Sequence, residues 1–217
     1  MKNTQMQKIK QISKSLYTLA FKSQKACLQD YLNFQSVIDL FARKKTAVLY
    51  YSQYEQASVA MKNKTRFVIN VEELSQLPTQ SLGFNLYRHI RQLGDGYDEF
   101  PNLKIGTDYD YINTHMFESH DVWHTVLGLK TTVRDEIYLQ AFMAAQTPGY
   151  LSNLMCVLHL LGLLLFKPSK FTSRCRSVYG YYRCGKQAKL LFGVNWNQFL
   201  KTDLLTLRQD LRISMVT

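Results

Sequence analysis

Residues that break helices are scarce in this chain, and that scarcity limits its fold more than any other feature. The sequence contains only 4 prolines and 10 glycines among 217 residues. A fold of many short strands needs frequent turns, and proline and glycine are the usual turn residues. Long helices with few interruptions fit this sequence better, and its 46% hydrophobic residues suffice for a buried core. We therefore predict an all-α fold, a helical bundle that forms a single domain over residues 1–217.

Apolar positions that recur every three or four residues predict where the helices lie. Residues 4–25 carry such a stripe, and residues 27–61 continue in the same style. Residues 65–71 are rich in β-branched side chains, but no partner strand is evident, so we expect an extended link there. The segment 95–111 is predicted to be a loop. Further helices are predicted from Pro78, with Ser81 as its cap, to residue 93, and over residues 113–127, 132–146, 151–166, 171–193 and 195–213. Thr131 or Thr132 can cap the helix that ends at residue 146, and Thr132 has the spacing of a capping pair with Asp135.

The charge of the chain is unevenly distributed. The formal net charge is +11, and residues 137–202 contain no Asp or Glu. Such a segment favours an anionic partner, although a solvated basic surface is the alternative interpretation. No recognised nucleic-acid motif is present, so we expect an anionic membrane surface rather than nucleic acid. The basic residues of this segment are Lys167, Lys170, Arg174, Arg176, Arg183, Lys186, Lys189 and Lys201.

The longest apolar run covers residues 154–166, about 13 residues. A helix that crosses a bilayer needs about 20. This segment is therefore predicted to lie on a membrane and not to cross it. The first residues are rich in lysine and glutamine, lack an apolar signal core, and precede the first arginine, Arg43. We expect a cytoplasmic protein that is peripheral on the membrane.

A group of potential metal ligands stands out in the middle of the chain. His120 and His124 are four residues apart, so both imidazoles project from one face of a helix. Glu136 follows twelve residues later, about 18 Å along a straight helix. All ligand atoms must lie within about 2.0–2.3 Å of a zinc ion. The glycine at position 128 can break the helix, and two antiparallel helices would then bring Glu136 back to the histidines. The sequence thus predicts a metal site between two antiparallel helices.

The role of Asp121 and the identity of the metal stay open at this point. Asp121 points about 100° away from His120 around the helix. It is either a fourth ligand or a residue that orients a histidine from outside. Two histidines with one or two carboxylates suit zinc, with iron or magnesium as alternatives. The alternative to any metal site is a pair of core histidines with hydrogen-bond partners.

The spacing of these residues resembles the signature of a ubiquinone (coenzyme Q) biosynthesis protein family. That signature is H-D-x-x-H, eleven residues, and E, as at His120, Asp121, His124 and Glu136. The chain resembles the family over residues 75–213, and residues 1–74 cannot be mapped onto it. One departure is the lack of an expected proline before the final Leu-x-x-x-Arg segment. The other similar stretches are residues 77–88, 139–146, 180–188, 196 and 204–208.

The resemblance implies an all-helical fold with zinc or a related divalent ion at the four motif residues. It also implies binding of polyprenylated quinone precursors at the membrane surface. Family members are associated with removal of the ring carboxylate, with hydroxylation at that carbon, and with organising other quinone-biosynthesis enzymes. Whether this chain is a metal-dependent decarboxylase or a non-catalytic isoprenoid-binding scaffold stays open, as does a homodimer.

A polyprenyl tail needs an apolar groove, and its head needs polar groups at the mouth of that groove. Four apolar residues lie on or near the face that carries the histidines, and the helix over residues 151–166 offers more. The alternative for that helix is ordinary burial in the core. The predicted lipid-binding residues are Met116, Phe117, Trp123, Leu127, Leu154, Leu158 and Leu161.

Overall fold

The protein is helical throughout the part of the chain that its structure, a computed structural model, describes: residues 44–92 and 105–216. Within these ranges there is no strand, and the only β-type pairing is an isolated bridge between Ser81 and Asp203. The prediction of an all-α fold is therefore confirmed. The helix predicted over residues 4–25 lies outside the described residues.

Ten α-helices follow one another within the described ranges, with short 3-10 helices at Pro168–Lys170 and Trp196–Phe199. The α-helices are α1 (Lys44–Ser52), α2 (Glu55–Asn63), α3 (Val71–Ser75), α4 (Leu82–Arg91), α5 (Asp108–Glu118), α6 (His120–Leu127), α7 (Val133–Gln146), α8 (Leu151–Phe166), α9 (Phe171–Gln187) and α10 (Leu204–Asp210).

Two helices begin where the sequence predicts a cap. The Ser81 hydroxyl accepts a hydrogen bond from the Phe84 amide at the start of α4, at 3.2 Å. The Thr132 hydroxyl accepts one from the Asp135 amide at the start of α7, also at 3.2 Å. These bonds satisfy amides that have no partner inside the helix. The predicted ends of α7 and both ends of α8 are confirmed, because the capping and turn residues act locally.

Two predictions before the histidines were wrong. The loop predicted up to residue 111 ends earlier, because Thr107 and Asp110 form a reciprocal capping box that starts α5 at Asp108. The single helix predicted over residues 113–127 is interrupted at Ser119. Ser119 has a φ of −93° and a ψ of 0°, and its hydroxyl donates at 2.6 Å to the His115 carbonyl that also accepts the Ser119 amide. The two motif histidines therefore lie on a short helix of their own.

The helices predicted over residues 171–193 and 195–213 were both too long. The end of α9 is fixed by the buried side chain of Gln146, whose amide donates to the carbonyls of Gly185 and Lys189. Its oxygen accepts from the Leu191 amide at 2.8 Å. Gly193 then turns the chain with a φ of 81°, and any Cβ there would lie 2.7 Å from Ala57 Cα. These groups come from distant parts of the chain, so local periodicity did not predict them.

The main core lies between α7, α9 and the helices around them. Helices α7 and α9 make the most extensive helix–helix contact in the described chain. Gly185 allows it, because a Cβ at that position would lie 2.6 Å from the Phe142 carbonyl oxygen. Trp123 of α6 packs edge-on against Phe142 inside the same core. This packing holds α6 against α7, which is the pairing that the metal motif needs.

Burial of His115 predicts a loss of stability in mild acid. Its Nε2 accepts a hydrogen bond from the Gly193 amide at 3.1 Å, which requires a neutral ring. Burial lowers the pKa of His115 to about 4, against about 6.5 in an unfolded chain. As the pH falls from 6.5 towards 4, the unfolded chain takes up a proton that the folded chain does not, so stability is lost in that window.

We expect the free energy of unfolding of the metal-free protein to fall by about 2–3 kcal/mol more than that of a His115→Gln variant between pH 7 and pH 4. Glutamine retains an acceptor for the Gly193 amide but does not titrate. Urea denaturation at several pH values measures both proteins. Parallel pH profiles for the two would contradict the role given to His115.

Candidate metal centre

The tight turn between α6 and α7 brings the motif residues together. Gly128 ends α6 with a φ of 66°, and its amide donates to the carbonyls of His124 and Thr125. A side chain is strained in this left-handed conformation, and its Cβ would also lie 2.7 Å from Met215 Cε. The chain therefore turns back at once, and Glu136 in the first turn of α7 lies beside the histidines.

The carboxylate of Asp135 stabilises the turn from within. It is buried and accepts from the Lys130 amide at 3.2 Å and from Arg134 Nε at 2.8 Å. The Arg208 side chain of α10 holds the other side, because its guanidinium donates to the carbonyls of Thr125 and Val126. A cation at the carboxyl end of a helix also interacts favourably with the helix dipole. Both ends of the segment from α6 to α7 are thus fixed by charged groups.

Two histidines and one carboxylate form the centre of the site. His124 Nε2 lies 3.0 Å from Glu136 Oε1, and His120 Nε2 lies 3.7 Å from Glu136 Oε2. One ligand atom from each residue lies within 4.8 Å of the others. Ligands at about 2.0–2.2 Å from a zinc ion lie a few ångströms from one another, so the set is suited to one divalent ion. These donor types fit zinc and also non-haem iron.

Asp121 lies beside this group, on the far nitrogen of His120. Its Oδ1 is 3.6 Å from His120 Nδ1 and 3.7 Å from Nε2 of His89 on α4. The structure thus brings together His120, His124 and Glu136 directly, with Asp121 in contact range of one of them. Sequence reasoning missed His89. Its position could have indicated that it is buried, because it lies three residues after Leu86 on the apolar face of α4.

The charges of the site are strongly coupled. Burial lowers the pKa of His120, but the carboxylates of Glu136 and Asp121 outweigh burial and raise it to about 10. Burial raises the pKa of Glu136, yet His124 and His120 outweigh that effect and hold it well below the usual range. For His124 burial dominates, so its pKa is lowered. These shifts favour the ionised carboxylate and a proton on His120. A metal ion at this site would bind the neutral imidazole and would therefore compete with that proton.

A cavity of about 180 Å³ opens beside His120. Its wall is mainly apolar and is built from α1, α5, α7 and α8, with polar groups from Asn113, Gln140 and Ser152. Of the predicted lipid-binding residues, Met116 and Phe117 line this cavity. The others lie elsewhere: Trp123 and Leu127 are in the core, Leu154 and Leu161 are exposed on α8, and Leu158 is half-buried.

These features define a class: an all-helical protein with two histidines and a carboxylate arranged for a divalent metal beside an apolar cavity. The family described as "Coenzyme Q (ubiquinone) biosynthesis protein Coq4" matches residues 55–217. The chain belongs to this family, and the resemblance inferred from the motif and its flanking segments is confirmed.

Named relatives agree with this membership. The chain is 29% identical to a protein of Eremothecium gossypii over 157 residues, 67% of this chain and 45% of the relative. It is 30% identical to a protein of Komagataella phaffii over 152 residues, 67% of this chain and 48% of the relative. Both carry the name "Ubiquinone biosynthesis protein COQ4, mitochondrial". The chain thus spans about half the length of the curated relatives it matches.

A solved structure supports the fold. The crystal structure of a Nostoc punctiforme protein, provisionally assigned to ubiquinone biosynthesis, superposes with a TM-score of 0.76. The match covers 93% of this chain and 96% of the other, at 22% sequence identity. At this identity the likeness concerns the helical architecture alone.

We expect about one divalent ion per chain in the purified protein, because three ligand atoms converge. Elemental analysis after dialysis should find the ion in the wild type and less than about a tenth of it in His124→Ala, since loss of one ligand of three removes most of the affinity. His159→Ala, which removes a buried histidine on α8, is the matched control. An equal metal content in the wild type and His124→Ala would contradict the metal site.

Proposed function

We propose that this protein binds a polyprenylated quinone precursor, with the ring of the precursor at the divalent-metal site and its isoprenoid tail in the apolar cavity. The observation that carries the proposal is that His120 belongs both to the metal-ligand triad and to the cavity wall. Membership of a ubiquinone biosynthesis family supports a quinone precursor as the ligand.

The residues around the cavity suit such a ligand. A divalent ion at the triad would supply a Lewis acid that binds an anionic ring oxygen or carboxylate. Asn113 and Gln140 are polar groups in a mainly apolar wall, so they can orient a ring that carries oxygen substituents. Gln140 is itself held in place, because its Oε1 accepts a hydrogen bond from the Ser152 hydroxyl at 2.8 Å.

The catalytic form of the proposal is removal of the ring carboxylate. The bond between ring and carboxylate breaks, carbon dioxide leaves, and the electron pair left on the ring carbon takes a proton. Hydroxylation at the same carbon would require an added oxidant. In the non-catalytic form the protein presents the bound precursor to other quinone-biosynthesis enzymes. Incubation of the metal-loaded protein with a prenylated hydroxybenzoate distinguishes the two, because only the first form releases carbon dioxide.

The proposal includes reversible docking on an anionic membrane through one face of α8. Within the described ranges no helix is long and apolar enough to cross a membrane. Lys167 and Lys170 follow α8 directly and are exposed, so positive charge adjoins the apolar face. Leu151 and Ser152, at the start of α8, line the cavity, so docking would place the membrane near the proposed tail site. The exposed apolar residues of α8 are Leu154, Val157, Leu161, Leu164, Leu165 and Phe166, with 45–79% of each exposed.

We expect the protein to float with anionic vesicles at low salt and less well at high salt, because salt screens the lysines. Replacing Leu161 and Leu165 together by glutamate should reduce vesicle binding at least tenfold, since each buried leucine contributes about 1.5–3 kcal/mol. Val68→Glu, at an exposed apolar residue outside α8, is the matched control. Failure of the wild type to float, or unchanged flotation of the double variant, contradicts membrane docking. If the wild type instead forms a dimer and the double variant is a monomer, the exposed apolar face of α8 contacts a second copy of the chain and not a membrane.

We expect native mass spectrometry of protein made in cells to show a bound isoprenoid compound. Met116→Trp or Met143→Trp should lower its occupancy severalfold, because the larger side chain fills the cavity. Leu205→Trp, on the exposed face of α10, should leave occupancy unchanged. Equal isoprenoid occupancy in the two cavity variants and the control would contradict the placement of the isoprenoid tail in this cavity.

A further inference from the structure

One buried histidine lies against the metal site without belonging to its motif. His89 projects from α4 into the contact between α4 and α6, with only 7% of the residue exposed. Its ring stacks on the ring of His124, with centroids 5.2 Å apart and planes inclined by 24°. Since His124 is fully buried, His89 covers the face of one of the three potential ligands.

The Nε2 atom of His89 points to Asp121. It is buried and has no partner within hydrogen-bond distance in the part of the chain that the structure describes. Asp121 Oδ1 lies 3.7 Å away, within the range of an ion pair. A buried N–H without an acceptor is unfavourable, so a small rotation that closes this contact is favoured. The same Asp121 oxygen lies 3.6 Å from Nδ1 of His120.

We propose that His89 is a positioning residue for the metal and acts through Asp121, an inference that rests on the metal site of the proposed function. The Nε2–H of His89 donates to the Asp121 carboxylate, and that carboxylate accepts from the Nδ1–H of His120. This chain of contacts holds the ring of His120 so that its Nε2 faces Glu136.

Such outer hydrogen bonds fix the orientation and tautomer of a ligating histidine, and their loss typically lowers metal affinity about 10–100-fold. A purely structural role would be different. His89 would then matter for its ring volume between α4 and α6, and any residue of similar size would replace it. Two substitutions separate these roles: phenylalanine keeps the ring and loses the donor, whereas glutamine loses the ring and keeps a donor near the position of Nε2.

The test is a zinc titration of the full chain against a competing chelator. We expect His89→Phe to bind zinc about 10–100-fold more weakly than the wild type and His89→Gln to stay within about threefold. Bound cobalt gives a second readout, because its absorption spectrum reports the geometry of the ligands and should change in His89→Phe. Urea denaturation of the metal-free proteins shows whether each variant is folded.

A double-mutant cycle tests the route through Asp121. In an Asp121→Ala background, His89→Phe should cause little further loss of zinc affinity, because the partner of His89 is already gone. Fully additive losses, equal losses in the Phe and Gln variants, or unchanged affinity in His89→Phe would each overturn the role of His89. A wild type that binds no metal is a different result, since it would overturn the metal site itself.

Discussion

The buried contact between the Glu136 carboxylate and the imidazoles of His120 and His124 is the interaction on which the rest of this structure depends. A charge taken out of water costs several kcal/mol unless it is paired and hydrogen-bonded. Here the carboxylate has an imidazole nitrogen 3.0 Å away on one oxygen and another 3.7 Å away on the second. These partners come from a different helix, so the ionised carboxylate is compensated only if α6 and α7 keep their geometry. Gly128 with its positive φ, the buried carboxylate of Asp135 on the turn amide of Lys130, and Arg208 of α10 on the last carbonyls of α6 all maintain that geometry.

The break at Ser119, between α5 and α6, affects which apolar side chains line the cavity. Because the helix breaks at Ser119, residues of α5 and α6 do not follow one continuous periodicity. Met116 and Phe117 can then face the cavity while Trp123 and Leu127 pack into the core. His120, the first residue after the break, contributes to both the cavity wall and the ligand set. A straight helix over residues 113–127 would have placed these side chains on one regular stripe.

The parts of the fold and site that the sequence predicted are those controlled by neighbouring residues. The spacing of His120 and His124, the break at Gly128 and a cap at Thr131 or Thr132 are all local, and together they predicted the return of Glu136. Contacts between distant segments were not predictable in this way. Gln146 ends α9 from about forty residues away, and His89 reaches the site only because α4 packs on α6. Periodicity also could not decide which apolar residues of α6 face a cavity, because its residues from Val122 to Leu127 are all buried.

The gradient of exposure across the site decides from which side a metal or ligand can approach. The exposed fraction of the side chain falls from 23% at His120 to 13% at Glu136 and 0% at His124. Approach is therefore open on the His120 side, where the cavity also lies, and closed on the His124 side, where His89 stacks. Asp121, with 15% of its side chain exposed, lies at the edge between the two. His120 lines the cavity and also belongs to the triad that could hold a metal ion, and it is the histidine whose pKa the two carboxylates raise. A ligand in the cavity and a proton or metal ion at the triad would therefore both reach the same side chain.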